Sequence, residues 1–453
     1  MLPWSTNGPA RGTVGHFSGG RFLVSLAPLI EGLLGPDPPV TLRAYDGTSV
    51  GSDRAGATIV IRSPDALTRI VQAPGELGFA RAYVAGDIEV EGDMFAALSV
   101  RDQLPNVHLT PRHWLEAART IGAAGLRRLP PPHEEARLTG RLHSRQRDQA
   151  AISYHYDVSN DFYRILLGPS MTYSCARWSD QAITLEQAQA DKYELICRKL
   201  GLADGQRLLD VGCGWGGMVM HAAAGADVEA IGVTVSTRQH AWAAKAIAER
   251  GIGAQVKVLL KDYRDVTDGP YDAISSIGMF EHVGAARLRE YFERLYLLLK
   301  PGGRLLNHGI SSQPTAGTTP GWGPQLRQLA GRATGNRSRF APGSFSDRYV
   351  FPDGELHEVG MVVSTMQQVG FEVRHVESLR EHYALTLRAW VANLERDWDG
   401  AVDQVGVGRA RVWRLYMAAA ALNFEAGRES IHQILAVKPD AGVSGLPRRL
   451  DFS

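Results

Sequence analysis

One segment of the chain, "LLDVGCGWGG" at residues 208–217, constrains the fold more than any other. A run of apolar residues ends directly in glycines, and Gly212, Gly214 and Gly217 have G-x-G-x-x-G spacing. Glycines at this spacing let the backbone pass close to a ligand at the carboxyl end of the first strand of a nucleotide-binding sheet. The segment therefore predicts a strand, a tight turn at a ligand and then a helix.

The sequence around this segment repeats the alternation of strand and helix from about residue 150 onward. Apolar runs that end in Gly or small polar residues alternate with helical segments: "VEAIGVTVS", "QVKVLLKDY", "YDAISSIGMF" and "GRLLNHGIS". Continuous apolar strands with helices between them are typical of a parallel sheet that is covered on both faces. We therefore assign residues 151–453 to one α/β domain with a doubly wound, Rossmann-like sheet.

The first third of the chain has a different pattern. Residues 1–110 combine short β-rich runs, such as "ATIVIRS" and "DIEVEGD", with helical runs, which predicts a smaller α+β domain. Residues 111–150 contain a proline run and many charges, and we interpret them as a charged linker with a basic helix. The arginines of that helix form either a solvated face or a face that contacts a membrane.

Composition excludes several classes of protein. With 49 Lys and Arg against 48 Asp and Glu the net charge is +1, which argues against a nucleic-acid partner. Three scattered cysteines (Cys175, Cys197 and Cys213) are too few for a disulfide framework or a zinc site, so we expect a reduced, cytoplasmic setting and no metal. The start of the chain lacks a secretory signal. The early apolar run, broken by Pro28 and Glu31, is too short to span a bilayer.

Residues 311–346 form a much longer connection than the other connections in this domain. It is rich in Gly, Pro, Ser and Arg and contains no acidic residue. A connection of this length inside a compact domain is typical of a functional loop or a disordered one. Its positive charge would suit an acidic surface such as phospholipid headgroups.

Two details at the glycine turn favour S-adenosylmethionine (SAM) over a dinucleotide. Asp210 precedes Gly212 in the D-x-G-x-G arrangement that methyltransferases use, and we expect it to fix the turn and approach the amino-acid end of SAM. The next strand ends in "GVTVSTRQ", without the carboxylate that holds the ribose hydroxyls in dehydrogenases. Thr234 and Gln239 are available as neutral partners instead.

The third strand ends in "KDYRD", which offers two further cofactor contacts. Asp262 and Tyr263 are placed to contact the adenine amine and ring. The alternative is that Asp262 only caps a helix.

Six motifs in register resemble those of the cyclopropane-fatty-acyl-phospholipid synthases and the related mycolic acid methyltransferases. The resemblance covers residues 145–440, and the N-terminal region is similar to the extra lipid-handling domain of the phospholipid enzymes. The motifs are "YHYDVSNDFYRILLGPSMTYSCARW", "LDVGCGWGG", "GVTVSTRQ", "GMFEHVG", "LLNHGIS" and "HYALTL".

The resemblance implies a reaction that needs no enzyme nucleophile. A cis C=C of an acyl chain attacks the sulfonium methyl of SAM, and a bound bicarbonate ion removes a proton from the resulting carbocation. The ligands implied for this ion are the side chains of Glu281, His308 and Tyr383 and the backbone N–H groups of Cys175 and Ile310. Donors that orient an anion near a developing positive charge in a dry pocket are physically reasonable.

Further residues follow from the same motifs. The resemblance places Tyr156 beside the cation, where a ring face or phenol oxygen is favourable, and Tyr173 and Ser174 against SAM near its sulfonium. Taken alone, Cys175 is a typical buried small hydrophobe, His308 a typical core residue, and Glu281 with His282 a typical solvated helix start. We expect Trp178, Trp390 and Trp413 in the core.

The implied substrate is an oleoyl-type chain on a membrane phospholipid, which the enzyme would reach from the inner face of the cell membrane. Residues 311–346 resemble the longer form found in the actinobacterial branch that makes tuberculostearic acid. There the product is a 10-methylene chain that a separate reductase saturates; a cyclopropane ring is the other outcome. The sequence leaves open whether the protein forms a homodimer.

Two other functions compete with this interpretation. One is a SAM methyltransferase acting on an O or N atom of a soluble molecule, and the other is a lipid-transfer module.

Overall fold

A computed structural model describes most of the chain. The described residues are 26–27, 38–51, 56–73, 75–103, 127–136, 147, 158–181, 183–313, 344–352 and 354–452. The predictions for Tyr156, for most of the basic helix and for nearly all of the segment 311–346 lie outside these residues.

Twelve strands and thirteen α-helices occur in the described residues. The strands are β1 (Thr41–Ala44), β2 (Ser49–Val50), β3 (Ala57–Ile61), β4 (Ile88–Gly92), β5 (Arg207–Val211), β6 (Glu229–Thr234), β7 (Val256–Leu260), β8 (Tyr271–Ile277), β9 (Leu299–Ser312), β10 (His357–Glu358), β11 (Glu372–Ser378) and β12 (Glu429–Val437). The helices are α1 (Pro64–Gln72), α2 (Glu76–Ala85), α3 (Met94–Gln103), α4 (Asn160–Leu167), α5 (Leu185–Leu200), α6 (Gly217–Gly225), α7 (Thr237–Glu249), α8 (Leu288–Leu298), α9 (Phe345–Tyr349), α10 (Val359–Val369), α11 (Arg380–Arg396), α12 (Trp398–Val405) and α13 (Val407–Glu425).

The larger sheet has the order β11-β12-β9-β8-β5-β6-β7, with β10 beside β9. The five predicted apolar runs form β5 to β9 and pair in parallel, as expected. The sheet as a whole is mixed, because β12 runs antiparallel to both β9 and β11. We predicted no strand beyond residue 312, because β11 and β12 carry charged and polar residues among their apolar ones and lack the continuous apolar run of a parallel strand.

Both faces of this sheet are covered by helices. The successive residues Leu208 and Leu209 are each fully buried, yet they belong to different hydrophobic clusters. Side chains alternate between the faces of a strand, so each cluster marks one face. One cluster contains residues of α5, α6 and α7, and the other contains residues of α8 and α10. The prediction of a doubly wound α/β fold is confirmed.

The smaller sheet has the order β2-β1-β3-β4 and accompanies α1 to α3, in agreement with the predicted α+β composition. It does not stand apart from the rest of the chain. One hydrophobic cluster joins Tyr83 and Val90 to Phe162 and Trp413. Helices α2 and α3 pack on α13. The two sheets therefore flank a shared apolar core.

Part of the predicted linker is packed against both regions. Arg81 of α2 donates two hydrogen bonds to the carboxylate of Glu135, at 2.9 and 2.8 Å, and the hydroxyl of Tyr349 donates to the same carboxylate at 3.2 Å. Glu135 is buried. The described part of the linker is thus fixed in place by buried charge pairing.

Helices α4 and α11 to α13 pack on one another. Trp390 and Trp413 are buried there, as predicted, while Trp178 is partly buried at the same cluster. No helix within the described ranges combines the length and the apolar character needed to cross a bilayer.

Candidate active site

A cavity of about 410 Å³ opens at the carboxyl ends of β5 to β8. Its walls include every residue predicted from the sequence to contact SAM: Tyr173, Ser174, Asp210, Gly212, Gly214, Gly217, Thr234, Gln239, Asp262 and Tyr263. Ligands of doubly wound sheets bind in the crevice outside the carboxyl ends of the strands. The structure therefore brings these ten residues together at the position where such a ligand belongs.

The glycine turn has the backbone that its sequence requires. Gly212 and Gly214 have φ values of 77° and 54°, and Gly216, which precedes α6, has φ 82°. This left-handed region is favourable for glycine and strained for other residues. A Cβ on Gly217 would lie 2.3 Å from the hydroxyl oxygen of Tyr193, so side-chain packing also demands glycine there.

Asp210 lies at the base of the cavity, on β5. Its carboxylate is buried, and Oδ1 accepts a hydrogen bond of 2.7 Å from the hydroxyl of Ser275 on the neighbouring strand. Burial raises the pKa of Asp210 to about 6, against the lowering effects of the Ser275 hydrogen bond and the charge of Lys192. The carboxylate is therefore ionised mainly above pH 6 and would be further stabilised by a cationic ligand group such as an ammonium.

Thr234 and Gln239 form one polar unit at the end of β6. The Thr234 hydroxyl donates to Gln239 Oε1 at 2.9 Å, and it accepts from the backbone N–H of Ser236 at 3.2 Å. These bonds orient the Gln239 amide, and a Cβ on Gly214 would lie 4.0 Å from its Nε2. The amide donor thus faces the glycine turn, where a neutral partner for ribose hydroxyls was predicted.

Asp262 both caps a short helix and lines the cavity. Its Oδ1 accepts from the backbone N–H of Arg264 at 2.9 Å, at the start of the 3-10 helix Tyr263–Asp265. The guanidinium of Arg264 also donates to both carboxylate oxygens, at 2.8 and 2.6 Å. The capping alternative is therefore realised, and any adenine contact would share a carboxylate that Arg264 already holds.

The segment before α5 forms another wall of the cavity. Tyr173 lies among aromatic rings, 5.3 Å from Trp390 and 5.8 Å from Trp413 between ring centroids. The adjacent Cys175 is fully buried, and its thiol donates to the carbonyl oxygens of Ala176 and Leu379 at 3.2 and 3.7 Å. Burial raises the pKa of this thiol far above its ordinary value. A neutral thiol is a poor nucleophile, which agrees with the expectation that the reaction needs no enzyme nucleophile.

Sequence reasoning missed Lys192, a fully buried lysine on α5. Its Nζ donates to the Ser174 hydroxyl at 2.9 Å and lies 3.8 Å from the centroid of the Tyr193 ring. Burial lowers the pKa of Lys192 to about 7, while the carboxylate of Asp210 raises it. In the sequence Lys192 looks like an ordinary cation on a helix surface. Ser174 and Asp210 come close to it only in the folded protein.

Glu281 lies in the 3-10 helix Phe280–His282 and is not among the residues that line the SAM cavity. Its Oε1 accepts a 2.7 Å hydrogen bond from the backbone N–H of Ile310, while Oε2 is buried without a partner among the described residues. Burial raises the pKa of Glu281 to about 7. Glu281 is thus a buried carboxyl, not the solvated helix start of the alternative interpretation. The Ile310 N–H that the resemblance assigned to the ion is occupied by Glu281.

His308 is a buried residue on β9 with one engaged ring nitrogen. Nδ1 lies 3.1 Å from the side-chain Nε2 of Gln433, and the ring Nε2 has no partner in the part of the chain that the structure describes. Burial, together with the charge of Lys192, lowers the pKa of His308 well below its ordinary value, so the ring is neutral.

Tyr383 and Cys175 meet at one backbone carbonyl. Both the Cys175 thiol and the Tyr383 backbone N–H donate to Leu379 O, and Leu379 N–H donates to the carbonyl of Ile431, the residue opposite Ile310 in the sheet. Tyr383 and Ile310 also line a second, smaller cavity of about 80 Å³ with mainly apolar walls. Hydrogen bonds and this shared cavity wall therefore link Cys175, Glu281, Ile310 and Tyr383.

Comparison with known proteins agrees with this geometry. The family model "Mycolic acid cyclopropane synthetase" matches residues 143–434. A probable fatty acid methyltransferase of Mycobacterium tuberculosis is 44% identical over 91% of this chain and 94% of its own length. The cyclopropane-fatty-acyl-phospholipid synthase of Escherichia coli (strain K12) is 33% identical over 84% of this chain and 88% of its own.

A solved structure shares the fold of the larger domain. The mycolic acid cyclopropane synthase CmaA1, in complex with S-adenosylhomocysteine (SAH), is 32% identical, with a TM-score of 0.56 over 64% of this chain and 98% of its own. The family match covers well over half of the sequence, and it includes both the glycine turn and the buried Glu281–His308 region. The chain belongs to the mycolic acid cyclopropane synthetase family and is a SAM-dependent methyltransferase.

Proposed function

We propose that this enzyme transfers the methyl carbon of SAM to the cis double bond of an oleoyl-type acyl chain on a membrane phospholipid. Homology supports SAM-dependent methylation of lipid chains, since the similar proteins are named as a fatty acid methyltransferase and a cyclopropane-fatty-acyl-phospholipid synthase. The choice of a phospholipid substrate rests on the second of these names, since the match to that enzyme extends over 84% of this chain and 88% of the enzyme's own length.

The observation that carries the proposal is a pair of buried polar atoms. Glu281 Oε2 and His308 Nε2 lack partners within the described part of the chain. A buried polar group without a hydrogen bond costs about 1–3 kcal/mol, so two such atoms favour a small polar ligand between the SAM cavity and the apolar region. An O- or N-methyltransferase of a soluble molecule has no need of such a buried polar site.

These residues fit an anion. With a pKa of about 7, the Glu281 carboxyl carries a proton in about half of the molecules at neutral pH, and a protonated carboxyl donates to an anion instead of repelling it. The bicarbonate that the resemblance implies would supply the base that collects the proton lost from the alkylated chain. The enzyme's own residues orient this ion and keep water out, because Cys175, Glu281 and His308 are all buried.

The surroundings also fit a carbocation on an acyl chain. The Tyr173 ring lies 5.3 Å from Trp390 and 5.8 Å from Trp413 between centroids, and the Trp390 ring lies 6.0 Å from that of Tyr383, which lines the smaller apolar cavity. Aromatic faces stabilise a nearby cation without reacting with it. Tyr156, which lies outside the described residues, belongs to the same set in our proposal.

Two products follow from the same cation. Loss of a proton after a hydride shift gives a 10-methylene chain, and direct loss gives a cyclopropane ring. We favour the methylene chain, because the segment at residues 311–346 is long and basic, as in the branch that the sequence resembles. A reductase would then saturate the branch.

In this proposal residues 1–110 handle the lipid, and residues 111–150 link the two regions. The enzyme works as a peripheral protein at the inner face of the cell membrane, with a homodimer as one candidate assembly.

Expression in a bacterial host that lacks its own cyclopropane activity tests the proposal. Mass spectrometry of the phospholipids should show a gain of one CH₂ per monounsaturated acyl chain, and ozonolysis should separate a methylene from a ring. Glu281→Gln should abolish the gain, while Glu290→Gln, at an exposed position on α8, is the matched control. Unmodified chains beside a methylated headgroup or a methylated soluble metabolite would refute the proposal.

A further inference from the structure

A chain of buried polar side chains leads from α5 to His308. The Nζ of Lys199 donates to Oε1 of Gln433 at 2.7 Å, and Gln433 Nε2 lies 3.1 Å from His308 Nδ1. Gln433 lies directly opposite His308 in the β9–β12 pairing, and both are almost completely buried. At its other end Lys199 is paired with the carboxylate of Glu377.

The donors and acceptors of this chain can be ordered in only one way. A lysine ammonium has three donors and no acceptor, so the group of Gln433 that faces Lys199 must be the carbonyl oxygen. Burial lowers the pKa of Lys199 from its ordinary value of 10.5, while the hydrogen bond and the negative charge of Glu377 raise it, so this ion pair favours the ammonium form. The amide NH₂ of Gln433 then faces His308 and donates to Nδ1.

The orientation of Gln433 has a consequence for the imidazole. A neutral imidazole carries one proton, and a ring nitrogen that accepts a hydrogen bond does not carry it. The His308 ring is neutral because it is buried near the charges of Lys192 and Lys199, which disfavour the imidazolium. The ring proton must therefore be on Nε2, the buried atom that lacks a partner among the described residues.

We infer that Gln433 is a positioning residue, which holds His308 in its Nε2–H tautomer so that a buried N–H donor faces an oxygen acceptor of the reaction. That this acceptor is an anion rests on the proposed function; the tautomer itself does not. A second glutamine orientation or a second tautomer would place donor against donor at Lys199 or at His308.

The tautomer can be read directly by NMR on the full-length protein labelled with ¹⁵N-histidine. In the wild type, His308 should show a protonated Nε2 and an unprotonated Nδ1, with its signals identified by their absence in His308→Gln. In Gln433→Glu, the new carboxylate accepts from Nδ1–H, and the proton should leave Nε2. The exposed Gln368→Glu is the matched control and should leave the His308 signals unchanged.

Turnover provides the second readout. Gln433→Glu should lower kcat at least about tenfold, as expected when one preorganised donor is lost, with SAM affinity unchanged within about twofold. If that variant does not fold, Lys199→Met serves the same purpose: without the ammonium the Gln433 amide is free to turn over, and His308 should show both tautomers.

Each outcome decides the inference. A wild-type His308 with its proton on Nδ1 overturns it, as does a neutral ring in Gln433→Glu that still carries its proton on Nε2 and none on Nδ1. A changed tautomer with unchanged kcat overturns the role in turnover. A wild type that has the expected tautomer but alkylates no lipid refutes the proposed function and leaves the tautomer assignment intact.

Discussion

Replacing Glu281 by Gln should change how the stability of this enzyme depends on pH. Glu281 is buried, and its carboxyl pKa is raised from 4.5 to about 7 by burial, partly offset by the hydrogen bond from the Ile310 N–H. Gln keeps an oxygen to accept that 2.7 Å bond but has no titratable proton. Any effect of the amide on packing is the same at all pH values, so the pH-dependent difference isolates the carboxyl.

The sign and size of the effect follow from the two pKa values. Between pH 4.5 and about 7 the folded protein holds a proton on Glu281 that the unfolded chain has lost, so the free energy of unfolding falls as the pH rises. This contribution is fully present below the unfolded pKa and is lost as the pH rises through the folded pKa. The pKa difference corresponds to about 3 kcal/mol in total, of which about 2.5 kcal/mol is lost between about pH 5 and about pH 8.

Urea unfolding of the wild type and Glu281→Gln at a series of pH values measures this difference. Other groups with shifted pKa values, such as Asp210 and Lys192, are present in both proteins, and their effects cancel in the comparison. Glu290→Gln should track the wild type at every pH. Parallel curves for the wild type and Glu281→Gln would show that the Glu281 carboxyl titrates normally, and the picture of a proton-holding buried acid would be wrong.

Three further substitutions test other parts of the site. Gly217→Ala, whose Cβ would lie 2.3 Å from the Tyr193 hydroxyl, should destabilise the protein by about 1–3 kcal/mol in thermal melts, whereas Gly225→Ala on the same helix, with no atom within 4 Å, should not lower its stability. Asp210→Asn should weaken SAM binding about tenfold or more by calorimetry, because a charged partner is lost; unchanged affinity would move the amino-acid end of SAM elsewhere. Cys175→Ala should keep turnover within about threefold, since its buried thiol is neutral; a loss above about a hundredfold would point to covalent catalysis.

The parts of the fold that were predicted from the sequence are those with a strong local pattern. Strands β5 to β9 are continuous apolar runs, and the glycine turn combines three glycines with Asp210 at a fixed spacing, so ten predicted SAM contacts line one cavity. Strand β12 escaped notice because Ser430, His432 and Gln433 interrupt its apolar residues. The partners of those polar side chains come from distant parts of the chain: Ser378 for Ser430, Ser311 for His432, and Lys199 and His308 for Gln433.

The prediction of the buried site residues rested on the family resemblance more than on any local sequence pattern. Glu281 and His308 carry no local signal that separates a core residue from a ligand, and only the matched motifs pointed to them. Lys192 and Gln433 were missed entirely, since each acts through a contact with a segment far away in the chain: Gln433 meets His308 across 125 residues. For Asp262 the sequence offered two alternatives, a helix cap and a cavity residue. In the structure the same side chain is both.

The proposed function depends most directly on where the methyl carbon of SAM is transferred. The purified protein should be incubated with SAM labelled with ¹³C in its methyl group, bicarbonate, and vesicles of dioleoyl phosphatidylglycerol, and the lipids analysed by tandem mass spectrometry. We predict that the label enters the middle of the acyl chain, together with loss of the original cis double bond. Label found only in the headgroup, or acyl chains without label while SAM is consumed, would contradict the account.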